Sequence, residues 1–318
     1  MNKRNFLWAA AAWGLAGSSR AQSGGEQPIR IIIPLGPGAP SDFVTRIVAA
    51  AMSEDLKRPI IIDNKPGANG VLAVQELLRA KPDGNTLMLG GVSPMALNVA
   101  VLKTLPYDPR RDFTPIGGIY NAFQAYIVAA RLPVNTFTEF VDYAKKHPGK
   151  VTLGHYSALT KIQFAALQKL GGIDLLMVPY KSTMPAVNDV MGGQIDASMC
   201  DVATAISLGK GGKMKVLAIT LAERSSLAPG LPTASETVPG MAFPAWSGLV
   251  GPAGLPKDVV ARLSTSLKAA LVKKEVVAAL AEQAVQPWVT SPEDFARHVD
   301  KEILRWTKLA QEAGIQPE

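Results

Sequence analysis

The chain has 318 residues, about twice the ~150 residues of an average domain, so two domains are expected. Hydrophobic residues make up 47% and charged residues 19%, a balance that builds a sizeable core and excludes a disordered chain. One cysteine, Cys200, and three histidines exclude a disulfide scaffold and a cysteine- or histidine-rich metal centre, while a formal charge of +7 raises the question of a nucleic-acid partner.

The elements begin with an export signal. Lys3 and Arg4 precede an apolar stretch from Phe6 to Ala16, and Ser19-Arg20-Ala21 has the small-x-small form of a cleavage site. This is the pattern of a secretory signal peptide cleaved after Ala21, with an apolar core too short to span a bilayer. No cysteine follows the site, which argues against a lipid anchor. Loss of Lys3, Arg4 and Arg20 lowers the charge from +7 to +4. The remaining bases are scattered among acids, the densest groups being Arg110-Arg111, Lys145-Lys146 and Lys273-Lys274. That scatter describes a solvated surface, not a nucleic-acid face. The expectation is a protein exported to the periplasm with no nucleic-acid partner.

Strand and helix signals then alternate. Ile29 to Ile33 is a β-branched run expected as a buried strand. Gly36-Pro37-Gly38-Ala39-Pro40 breaks it, and Ser41 opens a helix with Phe43, Val44, Ile47, Val48, Ala51, Met52 and Leu56 at 3.6-residue spacing. Pro59 to Ile62 reads as a strand, Val71 to Leu78 as a helix and Thr86 to Leu89 as a third strand. This β-α-β-α-β order predicts a mainly parallel sheet covered on both faces. The pattern restarts after Arg131. Thr136-Phe137-Thr138-Glu139 fits a capping box opening a helix. Strands at 151–153, 175–178, 195–199 and 215–220 alternate with helices at 160–170 and 184–191. A turn-rich segment from Leu227 to Phe243 leads into two helices, one carrying Val259 to Leu271 and one opening at Ser291-Pro292. The last two have little sheet of their own, so they are expected to return to the first unit. The domains read as residues 28–124 with 244–318, and 125–243, with a ligand cleft between them.

The chemistry concentrates at one turn. Gly36, Gly38 and Ala39 let backbone approach a ligand, and Ser41 is expected to cap a helix whose free N–H groups favour an anion. The same spacing also fits a tight loop that merely turns the chain. A dinucleotide motif fails because Ser41 stands at the third glycine position. Ligands of open α/β sheets sit at strand carboxyl ends, which brings in Gly90 to Ser93, Gly154 to Thr160, Pro179 to Thr183, and Cys200-Asp201. His155, Tyr156 and Trp246 are candidates to line a pocket. A rival reading is a secreted hydrolase using His155 with Ser157 or Cys200, although no G-x-S-x-G elbow is present.

These motifs resemble the Bug-type extracytoplasmic solute receptors, the substrate-binding subunits of tripartite tricarboxylate transporters. The resemblance is carried by Pro34-Leu35-Gly36-Pro37-Gly38-Ala39-Pro40-Ser41-Asp42, Asn64-Lys65-Pro66-Gly67-Ala68-Asn69-Gly70, Pro82-Asp83-Gly84, Tyr107-Asp108-Pro109, Val178-Pro179-Tyr180-Lys181, Gly192-Gly193-Gln194-Ile195-Asp196 and Trp246-Ser247-Gly248-Leu249, in that order. It implies an α/β two-lobe periplasmic binding protein (type II-like) that closes on a small carboxylate and delivers it to a membrane permease, acting as a monomer without cofactor, metal or catalysis. By resemblance, backbone amides at Gly38, Ala39, Ser41 and Asp42 hold a carboxylate, and the second lobe adds the Thr160 hydroxyl and the Asp201 loop. A sensor that signals to a membrane kinase is an alternative role for the same fold. Ala39 stands for a second glycine, and Ser157-Ala158-Leu159 for a glycine-rich segment. The implied second-lobe pocket is bulkier and more apolar, which suits an aromatic or apolar-bodied carboxylate.

Overall fold

A computed structural model describes residues 27–317, so the expected signal peptide lies outside the described residues. The chain forms two sheets. The first is built from β1 (Ile29–Ile33), β2 (Ile60–Asn64), β3 (Thr86–Gly91), β4 (Phe113–Ala122), β10 (Ala245–Pro252) and β11 (Gln286–Pro287), in the order β11-β4-β10-β3-β1-β2. The second has β5 (Gln124–Ala129), β6 (Val151–His155), β7 (Leu175–Pro179), β8 (Ala197–Asp201) and β9 (Met214–Ile219), in the order β7-β6-β8-β5-β9.

Helices follow the strands in alternation. In the first lobe they are α1 (Pro40–Leu56), α2 (Val71–Leu78) and α3 (Asn98–Val101), the last preceded by a π turn at Ser93–Leu97. The second lobe has α4 (Phe137–Lys146), α5 (Ala158–Gly171), α6 (Thr183–Met191), α7 (Val202–Gly209) and the short α8 (Ala234–Thr237). The tail supplies α9 (Lys257–Leu271), α10 (Lys274–Glu282) and α11 (Pro292–Glu312). Both faces of the first sheet are covered. Ile29, Ile31 and Ile33 pack with Val44, Val48, Leu263 and Leu267, while Ile32 and Met88 turn to the core that holds Val74, Met95 and Phe295. That double burial explains the unbroken isoleucine run of β1. The tail helices do return to the first sheet.

The sheets are mixed, not mainly parallel. β1 pairs in parallel with β2 and β3, and β6 with β7 and β8. The chain crosses between sheets as β4 runs into β5 and again after β9, and the crossing strands enter antiparallel: β10 against β3 and β4, and β5 against β8 and β9. β4 was hidden in the sequence by Pro115, Gly117 and Gly118. A side chain at Gly118 would place its Cβ 2.6 Å from Trp288, so the glycine that weakens the strand signal is what admits the tail against the sheet. The two crossings are tied together. Thr220 N–H donates to Gln124 O at 2.9 Å, and Gln124 N–H donates to Thr220 Oγ1 at 2.9 Å.

Two local expectations change. Thr136 Oγ1 accepts from Glu139 N–H, but Glu139 Oε2 reaches back to Asn135 N–H, so the capping box is only half formed. Phe43, placed by periodicity on the apolar face of α1, is 44% exposed at the start of that helix.

Candidate functional site

The amides of the β1–α1 turn are held within the turn itself: Ala39 N–H donates to Gly36 O, and Asp42 and Phe43 N–H donate to Ala39 O. Gly38 sits at φ +80°, a left-handed conformation that suits glycine, and its N–H donates to Asp42 Oδ2 at 3.0 Å. Asp42 also accepts from Arg46 and from Asn64 Nδ2. The Arg46 guanidinium, opposed by burial and helped by Gly38 and Asn64, holds the Asp42 carboxyl at about 2. Asp42 therefore braces the loop, and its own N–H is turned to Ala39 O at 2.9 Å. Ala39 has an ordinary extended backbone, so the missing second glycine introduces no strain there.

Ser41 does not cap α1. The N-cap is Ala39, with no side-chain cap, Pro40 follows it, and Ser41 lies inside the first turn. Its Oγ is buried and has no hydrogen bond of acceptable geometry, although the Tyr120 hydroxyl approaches both Ser41 and Ser247. A buried hydroxyl without a partner is costly, and here it lies at the positive end of a 17-residue helix. A hydroxyl in that position is electrostatically suited to an anionic oxygen.

The β6–α5 turn is the opposite case. Ser157 Oγ accepts from Thr160 N–H at 3.2 Å, and Thr160 Oγ1 accepts from Ser157 N–H and Tyr156 N–H at 3.1 Å each. This is a complete capping box. Thr160 is 1% exposed and its hydroxyl is fully engaged in this conformation. Asp201 is likewise a cap, accepting from Thr204 N–H at the start of α7. Tyr156 receives a hydrogen bond from Gln124 Nε2 at 2.6 Å, and burial raises its phenol pKa. The tyrosine thus links the second-lobe loop to the crossing.

These turns meet across two adjoining cavities. The first, about 210 Å³, opens at the ends of β1 and β3 and is lined by Pro34, Asn69, Ser93, Tyr120, Leu159 and Trp246 among others, with no charged side chain. Trp246 is 1% exposed, and its Nε1 donates to buried Glu302, so it forms floor rather than a movable wall. Gly91 keeps this floor open, because a Cβ there would lie 3.1 Å from Ser247 Oγ. The second, about 320 Å³, is lined by His155, Tyr156, Ser157, Ala158, Lys161 and Tyr180 of one lobe and by Asn69, Leu102 and Ile315 of the other. A larger groove of about 680 Å³ lies between α9 and α11, away from every strand-end loop of the cleft.

The structure brings Ser93, Ser157, His155 and Tyr156 to these cavities and leaves Gly38, Ala39, Asp42, Thr160 and Asp201 outside their linings. Ser41 lines neither cavity but lies beside Tyr120, which lines the first. Tyr120, Ser247, Asn69 and Lys161 were not singled out as ligand contacts. Ser247 and Asn69 did stand within the quoted motifs, which was the available signal. No His155–Ser157 hydrogen bond forms among the described residues, where Ser157 Oγ instead accepts from Thr160 N–H, and burial pushes the Cys200 thiol up to about 12.

Two α/β lobes joined by two crossings around a cleft have the architecture of a two-lobe solute-binding protein. A family model described as the tripartite tricarboxylate transporter family receptor matches residues 44–315, and the chain belongs to that family of periplasmic solute-binding receptors. It is similar to BugT of Bordetella pertussis, with 27% identity over 310 residues, 96% of this chain and 95% of BugT. Among solved structures it is similar to R. palustris Rpa4515 with adipate, at 30% identity and a TM-score of 0.80, covering 92% of this chain and 99% of that one. It is also similar to MatC from Rhodopseudomonas palustris with bound malate, at 30% identity and a TM-score of 0.74, covering 89% and 98%. No helix among the described residues is long and apolar enough to cross a membrane.

Proposed function

We propose that this receptor captures a small carboxylate with an apolar or aromatic body, the carboxylate docking on Ser41 and the start of α1. The observation that carries the reading is the buried, unpartnered Ser41 Oγ at a helix N-terminus, beside Tyr120 of an uncharged cavity. An anionic group entering there gains the helix dipole and a hydroxyl that already lacks a partner. Its body meets Pro34, Leu159 and Trp246. The adipate and malate held by two relatives support the carboxylate class.

In this reading the lobes are residues 28–124 with 244–318, and 125–243. Second-lobe contacts through His155, Tyr156 and Ser157 favour the closed form, and a ligand shifts the lobes only by its differential affinity for that form. Gly38 and Asp42 shape the loop, with Ala39, Ser93, Thr160 and Asp201 framing the cleft. The protein works in the periplasm as a monomer after cleavage at Ala21, hands its ligand to a membrane permease, and catalyses no reaction. A thermal-shift panel of carboxylic acids tests this. Acids with apolar bodies are expected to raise Tm, and stabilisation by citrate-like acids alone would overturn the choice of ligand body.

A further inference from the structure

The floor of the first cavity is held by a buried charge that stands outside the cleft. Glu302 of α11 is 6% exposed and lines neither cavity. Its Oε2 accepts from Trp246 Nε1 at 3.1 Å and from Trp306 Nε1 at 3.0 Å, and its Oε1 accepts from Arg305 at 3.3 Å. As a source of stability alone such a group is inefficient, because an apolar side chain would fill the space without the cost of desolvating a charge. The geometry gives it a positional task. Trp288, Phe295 and His298 pack around the Trp246 ring at centroid distances of 6.2, 5.9 and 4.9 Å. Those rings confine the indole, and the bond at Nε1 fixes which way it points. Among the described residues Glu302 is the one acceptor at that nitrogen.

The carboxylate is anchored in turn. Arg305 donates its other terminal nitrogen to Ala242 O and lies 4.7 Å from the centre of the Phe243 ring. Phe243 N–H donates to Thr220 O at 2.7 Å, and Thr220 is the residue that ties the two crossings together. One charge pair on α11 therefore holds both the indole under the first cavity and the backbone by which the chain returns to the first sheet. We infer that Glu302 is a positioning residue for the ligand body: by fixing Trp246 against the lobe junction it sets the floor of the first cavity, and with it the preference for acids that carry a ring or other apolar body. The inference rests on the carboxylate reading and adds to it the residue behind the choice of body. Glu302 acts through Trp246, since a floor held in place before binding costs the ligand no ordering.

The test uses propanoate and 3-phenylpropanoate, which differ only in the ring that reaches the floor. Both are measured by calorimetry, the weaker acid by competition. The wild type is expected to prefer the ring acid about tenfold or more. Glu302→Leu/Arg305→Met removes the acceptor together with its partner charge and leaves no lone buried ion. It should cut that preference at least about threefold, with propanoate affinity and one-to-one stoichiometry unchanged. Glu302→Gln keeps an oxygen for both indoles and should keep the preference. Trp306→Phe removes a bond to the same carboxylate away from both cavities, and should lower Tm while leaving the preference alone. If the double variant does not fold, Glu302→Asp, which keeps the charge and shortens its reach by one methylene, should lower the preference in its place. A preference that survives these changes at Glu302, or that falls equally in Trp306→Phe, overturns the positioning role and leaves the Ser41 site standing. A wild-type ratio near one overturns the choice of body and the positioning role together. Binding of neither acid overturns the carboxylate reading as well.

Discussion

The starts of α1 and α5 do the same topological job and are built in opposite ways. Each follows a parallel strand and opens onto the cleft. At α1 the N-cap is an alanine, and the buried hydroxyl one position past Pro40 has no partner. At α5 a serine and a threonine satisfy each other in a closed capping box. The first start lacks a side-chain cap and its loop is held by Asp42 from within the first turn, whereas the second is complete and has Lys161 and His155 at the cavity beside it. An incomplete cap is a stability defect that a ligand can repair. A complete cap is a rigid platform, and its contribution to binding has to come from side chains around it.

The largest expected effect separates stability from affinity at Ser41. Ser41→Ala removes an unsatisfied hydroxyl and introduces a better helix former, so Tm should hold or rise. Affinity for a stabilising acid should fall about 10- to 100-fold, as a lost hydrogen bond to a charged group costs ~1.5–3 kcal/mol. Paired melting and calorimetry check this, and a drop in Tm would show that Ser41 has a structural partner. Next comes Asp42→Asn, which removes the charge bracing the loop. Chemical denaturation should register a loss of about 2 kcal/mol, the size implied by holding its pKa near 2.

Thr160→Val should cost about 1 kcal/mol of stability as the cap opens, with acid affinity changed less than about threefold. A large affinity loss without destabilisation would return Thr160 to the ligand. Acid sensitivity probes the Asp42 brace without a mutation at neutral pH. The folded pKa of Asp42 lies below its ordinary value, so its stabilisation is present above 3.8 and is lost as pH falls towards about 2. Wild type and Asp42→Asn should therefore converge in Tm over that window, and parallel curves would contradict the bracing role.

Much of this fold was legible because β1, α1 and α2 follow simple periodicity. The isoleucines of β1 and the Val44, Val48, Ala51 and Met52 stripe of α1 are buried as their spacing requires. What was illegible lay in strands that obey tertiary demands. β4 carries Gly117 and Gly118 where Thr290 and Trp288 of the tail pack on it, and nothing local in Phe113 to Ala122 reveals that the chain is about to cross to the second sheet. The site divides the same way. Anion binding at the β1–α1 turn could be argued from glycines and a helix start, and Ser41 was in view. That Ser41 would be buried uncapped while Thr160 was fully engaged depends on which hydroxyl each backbone turn happens to meet, a relation of positions in space. Tyr120 joins the cleft from β4, a strand that periodicity does not reveal, and Lys161 from α5, whose spacing says only that it is a helix.

The central claim is that the first lobe holds the carboxylate through the unfinished start of α1. A crystal structure of the protein with the acid that stabilises it most would test this directly. The account predicts a carboxylate oxygen within hydrogen-bonding distance of Ser41 Oγ, with the Ser157–Thr160 box intact. A carboxylate bound instead to Thr160 Oγ1, with that box opened and Ser41 still without a partner, would contradict it.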